Sequence, residues 1–464
     1  MRSLTLNARL AALAMAIAIA LAACGGGAGP ATPNAQSATP ESSEAAATDG
    51  GSSAEPGGVA EITFLVGIAE DPEIEQLAQQ QIEEFNSTHE NIQVTREALD
   101  NDQLRTIIQT RLDSGDVDVF GYDTGPGFGG VLARAGLVAD LGPAYEEFGW
   151  PIFDWAKARC TYSGVLSCIP GAVEEVGIYY NKTLFDTQGL EEPATLEEMV
   201  EIMEAFKGQD MVPLAFGNQP QWPAGHQFSM TLSNLVGREG LDAKLYGESP
   251  WNDEDTVRAI DIYFRQFQDA SYFPRDPNAV TYEDANALFY AGEAAMLPTG
   301  TWLVAEITDN TDFEVGFFPF PAIDGGEGVF PPAGLGGGLF VAEASDDKQA
   351  AFEFLNWLQS EEVVREWSLQ TFNVIPAQEI DSAGLDVSPL FQSVLDDLAQ
   401  SSGETSDFGY NIDVLTPANF NDEMFTGFQE VLNGTRTPQE LADALEAAYQ
   451  EAAERGETLE RPEE

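Results

Sequence analysis

The stretch Glu61-Ile62-Thr63-Phe64-Leu65-Val66 is rich in β-branched and aromatic side chains and runs into Gly67, which predicts a buried strand. Gly67 to Asp71 then reads as a loop. Pro72 opens a helix with Ile74, Leu77, Ile82 and Phe85 on one face. Ile92-Gln93-Val94 starts a second strand. Leu104, Ile107, Ile108 and Leu112 mark a second amphipathic helix, ended by Gly115. Val117-Asp118-Val119-Phe120 is a third strand, followed by a loop over Gly121 to Gly130. This alternation implies an α/β fold with a mostly parallel sheet under covering helices. Later helices announce their starts: Thr195 with Glu198 as a capping box, Thr281 with Asp284, Ser345 ahead of Phe352, Leu355 and Leu358, and Thr437-Pro438-Gln439-Glu440.

With 464 residues, 43% apolar and 10% aromatic, the chain can fill two lobes of ordinary size. Against 78 Asp and Glu stand 20 Lys and Arg, a net charge of −58. Such a surface repels phosphate backbones and anionic lipid, which excludes a nucleic-acid partner and electrostatic adhesion to a membrane. Two His (His89, His226) and three Cys (Cys24, Cys160, Cys168) leave little material for metal sites or Cys/His nucleophiles, so neither metal nor cofactor is expected. The sequence has no Gly-Lys dipeptide, no His-Glu-x-x-His and no Gly-x-Ser-x-Gly. The glycines of Gly334-Leu335-Gly336-Gly337-Gly338 precede an apolar strand instead of leading from a strand into a helix, so they make no dinucleotide fingerprint. Carboxylate chemistry and plain binding remain.

Residues 1–23 combine Arg2 and Arg9 with the apolar run Leu10 to Ala23, the pattern of a secretory signal. The run ends Leu21-Ala22-Ala23-Cys24-Gly25, which resembles the lipobox of bacterial lipoproteins and implies lipidation of Cys24. Removing residues 1–23 takes two of the 20 basic residues and none of the acids, leaving 18 against 78, or −60. Residues 24–58 hold Gly, Ala, Ser, Thr and Pro and read as a flexible tether. The expected place is the outer face of the cytoplasmic membrane, where disulfides persist. Cys160 and Cys168 flank Thr-Tyr-Ser-Gly-Val-Leu-Ser, a short hairpin across which a bridge is sterically reasonable; the alternative is two free buried thiols.

Four segments share one resemblance. Ile169-Pro170-Gly171-Ala172-Val173-Glu174-Glu175 leads into Gly177-Ile178-Tyr179-Tyr180-Asn181-Lys182; Glu192-Pro193-Ala194-Thr195 precedes a helix; Phe289-Tyr290-Ala291-Gly292-Glu293-Ala294-Ala295-Met296 precedes Gly300-Thr301-Trp302; and Gly316-Phe317-Phe318-Pro319-Phe320-Pro321 precedes Gly336-Gly337-Gly338. Together they resemble the family 1 extracellular solute-binding proteins of ABC importers, which bind maltose, raffinose-type oligosaccharides and related sugars. Leu196 and Glu293 depart from the family's usual Trp and basic residue. The resemblance implies a two-lobed periplasmic-binding-protein-like fold (type II) that closes by a hinge on a small-molecule sugar or oligosaccharide. It also implies a monomer that delivers the ligand to permease subunits and is not an enzyme. Lobe one would span 59–172 plus 323–365, and lobe two 173–322 plus 366–456, with a polar tail at 457–464.

A neutral sugar offers hydroxyls and apolar C–H faces, which carboxylates, amides and aromatic rings match. Strand-end loops supply Glu70 and Asp71, which equally suit a solvated helix start, and Asp123, which equally suits a turn. Glu174 stands where the family often has a ligand-binding carboxylate, with Glu175 the alternative if the register slips. Trp222, in the loop-like stretch Phe216 to His226, suits a stacking platform or a lid on its own lobe. Trp302 aligns with the family's recurring stacking Trp. Gly337 would let the backbone approach the ligand, and Asn373 enters from the second crossing. Three rivals stay open: the same fold with a cationic ligand such as a polyamine, held in a cation–π box, a carboxylate-based glycoside hydrolase, and an anchored adhesin with no small ligand.

Overall fold

The computed structural model describes residues 58–69, 72–378, 384–401 and 411–459. The expected signal peptide, Cys24, nearly all of the tether, Glu70, Asp71 and the last residues of the tail lie outside the described residues.

Strands β1 (Ala60–Gly67), β2 (Ile92–Leu99) and β3 (Val119–Asp123) run parallel, with β2 and β3 on either side of β1. The helices Pro72–Thr88 and Asn101–Ser114 make the crossovers and bury Ile82, Phe85, Leu104, Ile108 and Leu112. Asp100 caps the second helix by accepting from two backbone N–H groups, and Gly115 ends it at φ 71°. The third strand starts two residues later than the sequence predicts and runs on to Asp123. Asp118, just before it, keeps backbone hydrogen bonds on both sides, its N–H donating to Thr63 O and its carbonyl accepting from the Ala342 N–H, while its carboxylate accepts from the Thr63 N–H and the Ser345 hydroxyl. Ser345 is therefore spent on Asp118, and its expected helix starts instead at Lys348 behind Asp347. The capping boxes at Thr195/Glu198 and Thr437/Glu440, and the Thr281 cap, form as the sequence predicts.

A hairpin of β4 (Thr161–Tyr162) and β5 (Val165–Leu166) turns at Ser163 and Gly164, with φ of 51° and 79°, the backbone a two-residue turn requires. Cys160 and Cys168 close it as a disulfide, Cα atoms 5.2 Å apart. Serine at both positions is expected to lower stability by about 2–3 kcal/mol. A urea titration checks this, and an unmoved midpoint would mean the hairpin holds without its bridge.

The remaining strands are β6 (Cys168–Pro170), β7 (Val173–Asn181), β8 (Val212–Leu214), β9 (Ala294–Gly300), β10 (Val315–Phe318), β11 (Ala333–Leu335) and β12 (Gly337–Val341). They complete one sheet of order β2-β1-β3-β12-β6 and build a second of order β10-β7-β9-β8, with β11 beside the start of β7. Each sheet is the spine of one lobe of an α/β fold. The chain crosses between sheets at Gly171-Ala172 and returns between β11 and β12. Among the described strands, only the β1–β2, β1–β3 and β8–β9 pairs are parallel; β12 joins β3, and β7 joins β9 and β10, antiparallel. The mostly parallel reading thus fits the first three strands and fails for both sheets taken whole, because hydrophobic periodicity carries no information on the direction of partners far away in sequence. In the second lobe Ile178 and Tyr180 enter a core with Phe206, Phe228 and Phe264, while Tyr179 packs on the opposite face of β7 near Leu297 and Ile307.

Candidate functional site

Ends of strands from both sheets surround one cavity of about 290 Å³. On one side stand Asp123 at the end of β3, Glu174 just after the crossing, Gly337 at the start of β12, and Asn101 and Arg105 from the helix Asn101–Ser114. Opposite them stand Trp222, His226, Tyr282 and Trp302, with Asn411 and Asp413 alongside. A second cavity of about 290 Å³ shares Asn101, Arg105, Asp123, Glu174 and Gly337 and runs on past Gly67, Tyr122 and Gly171. This is the mixed lining of a small-molecule site: apolar rings with a few placed polar groups.

Asp123 closes its strand instead of sitting in a loop. Arg105 Nε donates to its Oδ2 at 2.8 Å. Asp123, with Asp102 and Asp413 beyond it, holds the Arg105 guanidinium above its usual range despite burial. Glu174 lies against Gly336, where any Cβ would fall on the carboxylate. Part of Glu174 faces the cavity and protein surrounds the rest. Burial first, then the charges of Asp123 and Asp413, push its carboxyl up to about 8. At neutral pH it therefore keeps its proton and can donate as well as accept. Glu175 follows strand alternation to the other face. It is buried, its N–H donates to Thr301 Oγ1 at 3.0 Å, and it lines neither cavity.

The aromatic side is built by two helix starts and a strand end. Trp222 is not in a loop but opens the helix Trp222–Leu245, in which His226 is buried. The Pro and Gly residues that suggest a loop conceal this start, since Pro223 in the first turn sacrifices no helical hydrogen bond. Gln221, at φ 73°, makes the break before it. Trp302 follows β9 in the single turn Thr301–Leu303. Its indole N–H donates to the Tyr282 hydroxyl at 2.9 Å, which shares a 2.6 Å hydrogen bond with the Thr299 hydroxyl. The ring lies back over Gly300, where a Cβ would intrude into it. Ring centroids are 4.6 Å apart for Trp222 and Tyr282, 6.2 Å for Trp222 and Trp302, and 5.2 Å for His226 and Trp302. His226 Nε2 lies 3.5 Å from Asp413 Oδ2.

Asp123, Glu174, Trp222, Trp302 and Gly337 thus meet in one place. The Gly337 carbonyl is engaged by the Gly171 N–H at 3.0 Å. Asn373, at φ 52°, borders a side pocket of about 20 Å³ that also touches Glu174 and Trp302. Sequence reasoning missed Asn101, Arg105, Tyr282, Asn411 and Asp413 as site residues. Only Arg105 carries a signal, as a scarce cation on a helix that follows a strand-end loop.

Residues 70–365 match the family described as bacterial extracellular solute-binding protein. Over 171 residues, 36% of the chain, the sequence is 28% identical to a multiple sugar-binding protein of Streptococcus mutans. The chain spans 41% of the length of that relative, and 28% and 56% of two uncharacterized ABC transporter extracellular-binding proteins of Pyrococcus horikoshii. Among solved structures, a chitin oligosaccharide binding protein superposes with a TM-score of 0.75 at 22% identity, covering 85% of this chain and 99% of that one. A maltose/maltodextrin-binding domain from Bdellovibrio bacteriovorus, bound to maltotriose, gives 0.66 at 18% identity over 85% of this chain and all (100%) of its own. These likenesses establish the two-lobed fold.

Proposed function

The chain belongs to the bacterial extracellular solute-binding protein family, a family of binding proteins rather than enzymes, and from that premise we propose that it is the receptor of an ABC importer. It captures a sugar or oligosaccharide between lobes that close on it and hands the ligand to the permease. Residues 59–172 with 323–365 form one lobe and 173–322 with 366–456 the other, β11 being part of the return crossing. The body works as a monomer outside the cytoplasmic membrane, tethered through lipidated Cys24.

The observation that carries this reading is the opposition across one cavity of an aromatic wall, Trp222–Tyr282–Trp302 with Asp413 alongside, to the hydrogen-bonding set Asn101, Asp123 and Glu174. Rings cover the C–H face of a pyranose, and carboxylates and amides take its hydroxyls. Two of the three carboxylates are offset: Arg105 answers Asp123 and Glu174 holds its proton at neutral pH, while Asp413 has His226 Nε2 3.5 Å away. A neutral solute suits that balance.

A thermal-shift series with maltotriose, raffinose, chitobiose and simple hexoses tests the reading, since a bound ligand raises the melting temperature. No shift with any sugar overturns it, and so does release of new reducing ends. The convergence of three carboxylates beside an aromatic wall favours one second reading, a cationic solute. Spermidine and putrescine belong in the same series.

A further inference from the structure

The loop Thr124 to Phe128 of the first lobe meets the segment Asp413 to Ala418 of the second, backbone against backbone. A Cβ on Gly125 would fall on the Val414 carbonyl. One on Gly127 would lie 2.7 Å from Thr416 O, 3.0 Å from Asn421 Nδ2 and 3.2 Å from Ala418 N. Every one of those atoms belongs to the second lobe. Gly125 sits at φ 95°, whereas Gly127 has no positive φ. Within its own lobe, then, position 127 tolerates a methyl group, and only the approach of the other lobe forbids one.

Both faces of the contact are fixed from behind. The Thr124 N–H donates to Gly336 O at 2.9 Å, and the Gly125 N–H donates to the hydroxyl of Tyr162, in the disulfide-closed hairpin, at 2.7 Å. Arg134 donates to Pro126 O at 2.8 Å. Across the contact, the Ile412 N–H donates to the Ser229 hydroxyl at 3.0 Å. The Thr416 hydroxyl donates to Ile412 O, and the Asn421 amide to Asp413 O, both at 2.7 Å. Thr124, Thr416 and Asn421 are buried. The second-lobe segment also carries Asp413 and Val414 into the cavity, three and two residues before Thr416, whose carbonyl a Cβ on Gly127 would meet. A single contact therefore sets both how near the lobes come and where the Asp413 side of the cavity stands.

We propose that Gly125 and Gly127 are positioning residues for solute binding. Lacking side chains, they let the lobes approach until Glu174, Asp413 and the aromatic wall of the second lobe reach a solute held by Asp123 of the first. The proposal rests on the sugar-receptor reading for its occupant and on the glycine contacts for its geometry.

Gly127→Ala and the bulkier Gly127→Val test it. Both variants should fold, with ligand-free melting temperatures within about 2 °C of the parent, as expected for a surface change of little free energy. The probe is whichever of maltotriose, raffinose and chitobiose shifts the parent most. Affinity should fall at least tenfold for Ala and further for Val, through faster dissociation. Small-angle scattering should show the parent contracting with sugar and the Val variant failing to contract. Parent-like affinity and contraction in both variants overturn the proposal. If no sugar shifts the parent, the sugar reading fails separately, and ligand-free scattering then judges the glycines. A larger radius of gyration for Gly127→Val supports them, and an identical one overturns them.

Discussion

Trp302→Ala is expected to weaken sugar binding by roughly 30- to 1,000-fold, about 2–4 kcal/mol, the loss typical of a central aromatic anchor. The ring is half-buried, packs beside both Trp222 and His226 on the aromatic side, and is locked by its hydrogen bond to Tyr282. That lock fixes the ring before the ligand arrives, so little ordering cost falls on binding. Stability should suffer less than affinity, because the Tyr282 hydroxyl keeps Thr299 as a partner. Calorimetric titration of the best sugar into parent and variant decides between these outcomes. Undiminished affinity would remove Trp302 from the site.

Glu174 yields the second large effect. Its carboxyl titrates near pH 8 in the folded protein and near 4.5 ordinarily, so between those values the folded state holds a proton that the unfolded chain has released. The stabilising contribution of protonated Glu174 is complete below pH 4.5 and is lost as pH rises through 8. Each pH unit in that window corresponds to about 1.4 kcal/mol. Allowing for the part of the side chain that faces the cavity, the whole loss is about 2–4 kcal/mol. Glu174→Gln, which keeps a donor and cannot ionise, should melt higher than the parent at pH 8. It should lose that advantage progressively toward pH 5.

Ligand binding inherits the same titration. A neutral sugar displaces water from Glu174 and favours the protonated form, so parent affinity should fall above pH 8, by up to tenfold per unit, while Glu174→Gln stays flat. A cationic solute reverses the sign, because it draws the proton off and binds more tightly as pH rises. Titrations at pH 6, 8 and 9 thus separate the two solute classes whichever compound is bound.

Local features of the fold are legible in the sequence. The first three strands with their crossover helices, and the caps at Thr195, Thr281 and Thr437, are properties of a dozen neighbouring residues. What periodicity leaves out is long-range: that β12 returns between β3 and β6, that β7 centres a mixed sheet, and that Asp118 recruits Ser345 away from a helix cap. The site divides the same way. Asp123, Glu174, Trp222, Trp302 and Gly337 stand at strand or helix ends recognisable from local pattern or family resemblance. Asp413 joins them from a single turn among the apolar Ile412, Val414 and Leu415, which reads as core, and Tyr282 reads only as a residue after an N-cap. Arg105 is hidden in a helix whose periodicity its neighbours already explain. Trp222 is reached for an incorrect local reason, since the glycines and prolines that suggest a loop open a helix.

Two of the chain's seven tryptophans, Trp222 and Trp302, line the same cavity. Of the other five, Trp150, Trp251 and Trp367 are buried, Trp357 is half-buried against Phe85, and Trp155 stands in solvent. A solute that displaces water from the two cavity indoles changes their surroundings and leaves those five nearly as they were. The protein therefore carries its own optical reporter: ultraviolet emission should shift on filling, with no dye attached. Trp302→Phe would assign the shift to one ring. Immobilised through an engineered tether, the same chain becomes a reagent-free sensor for whatever it carries.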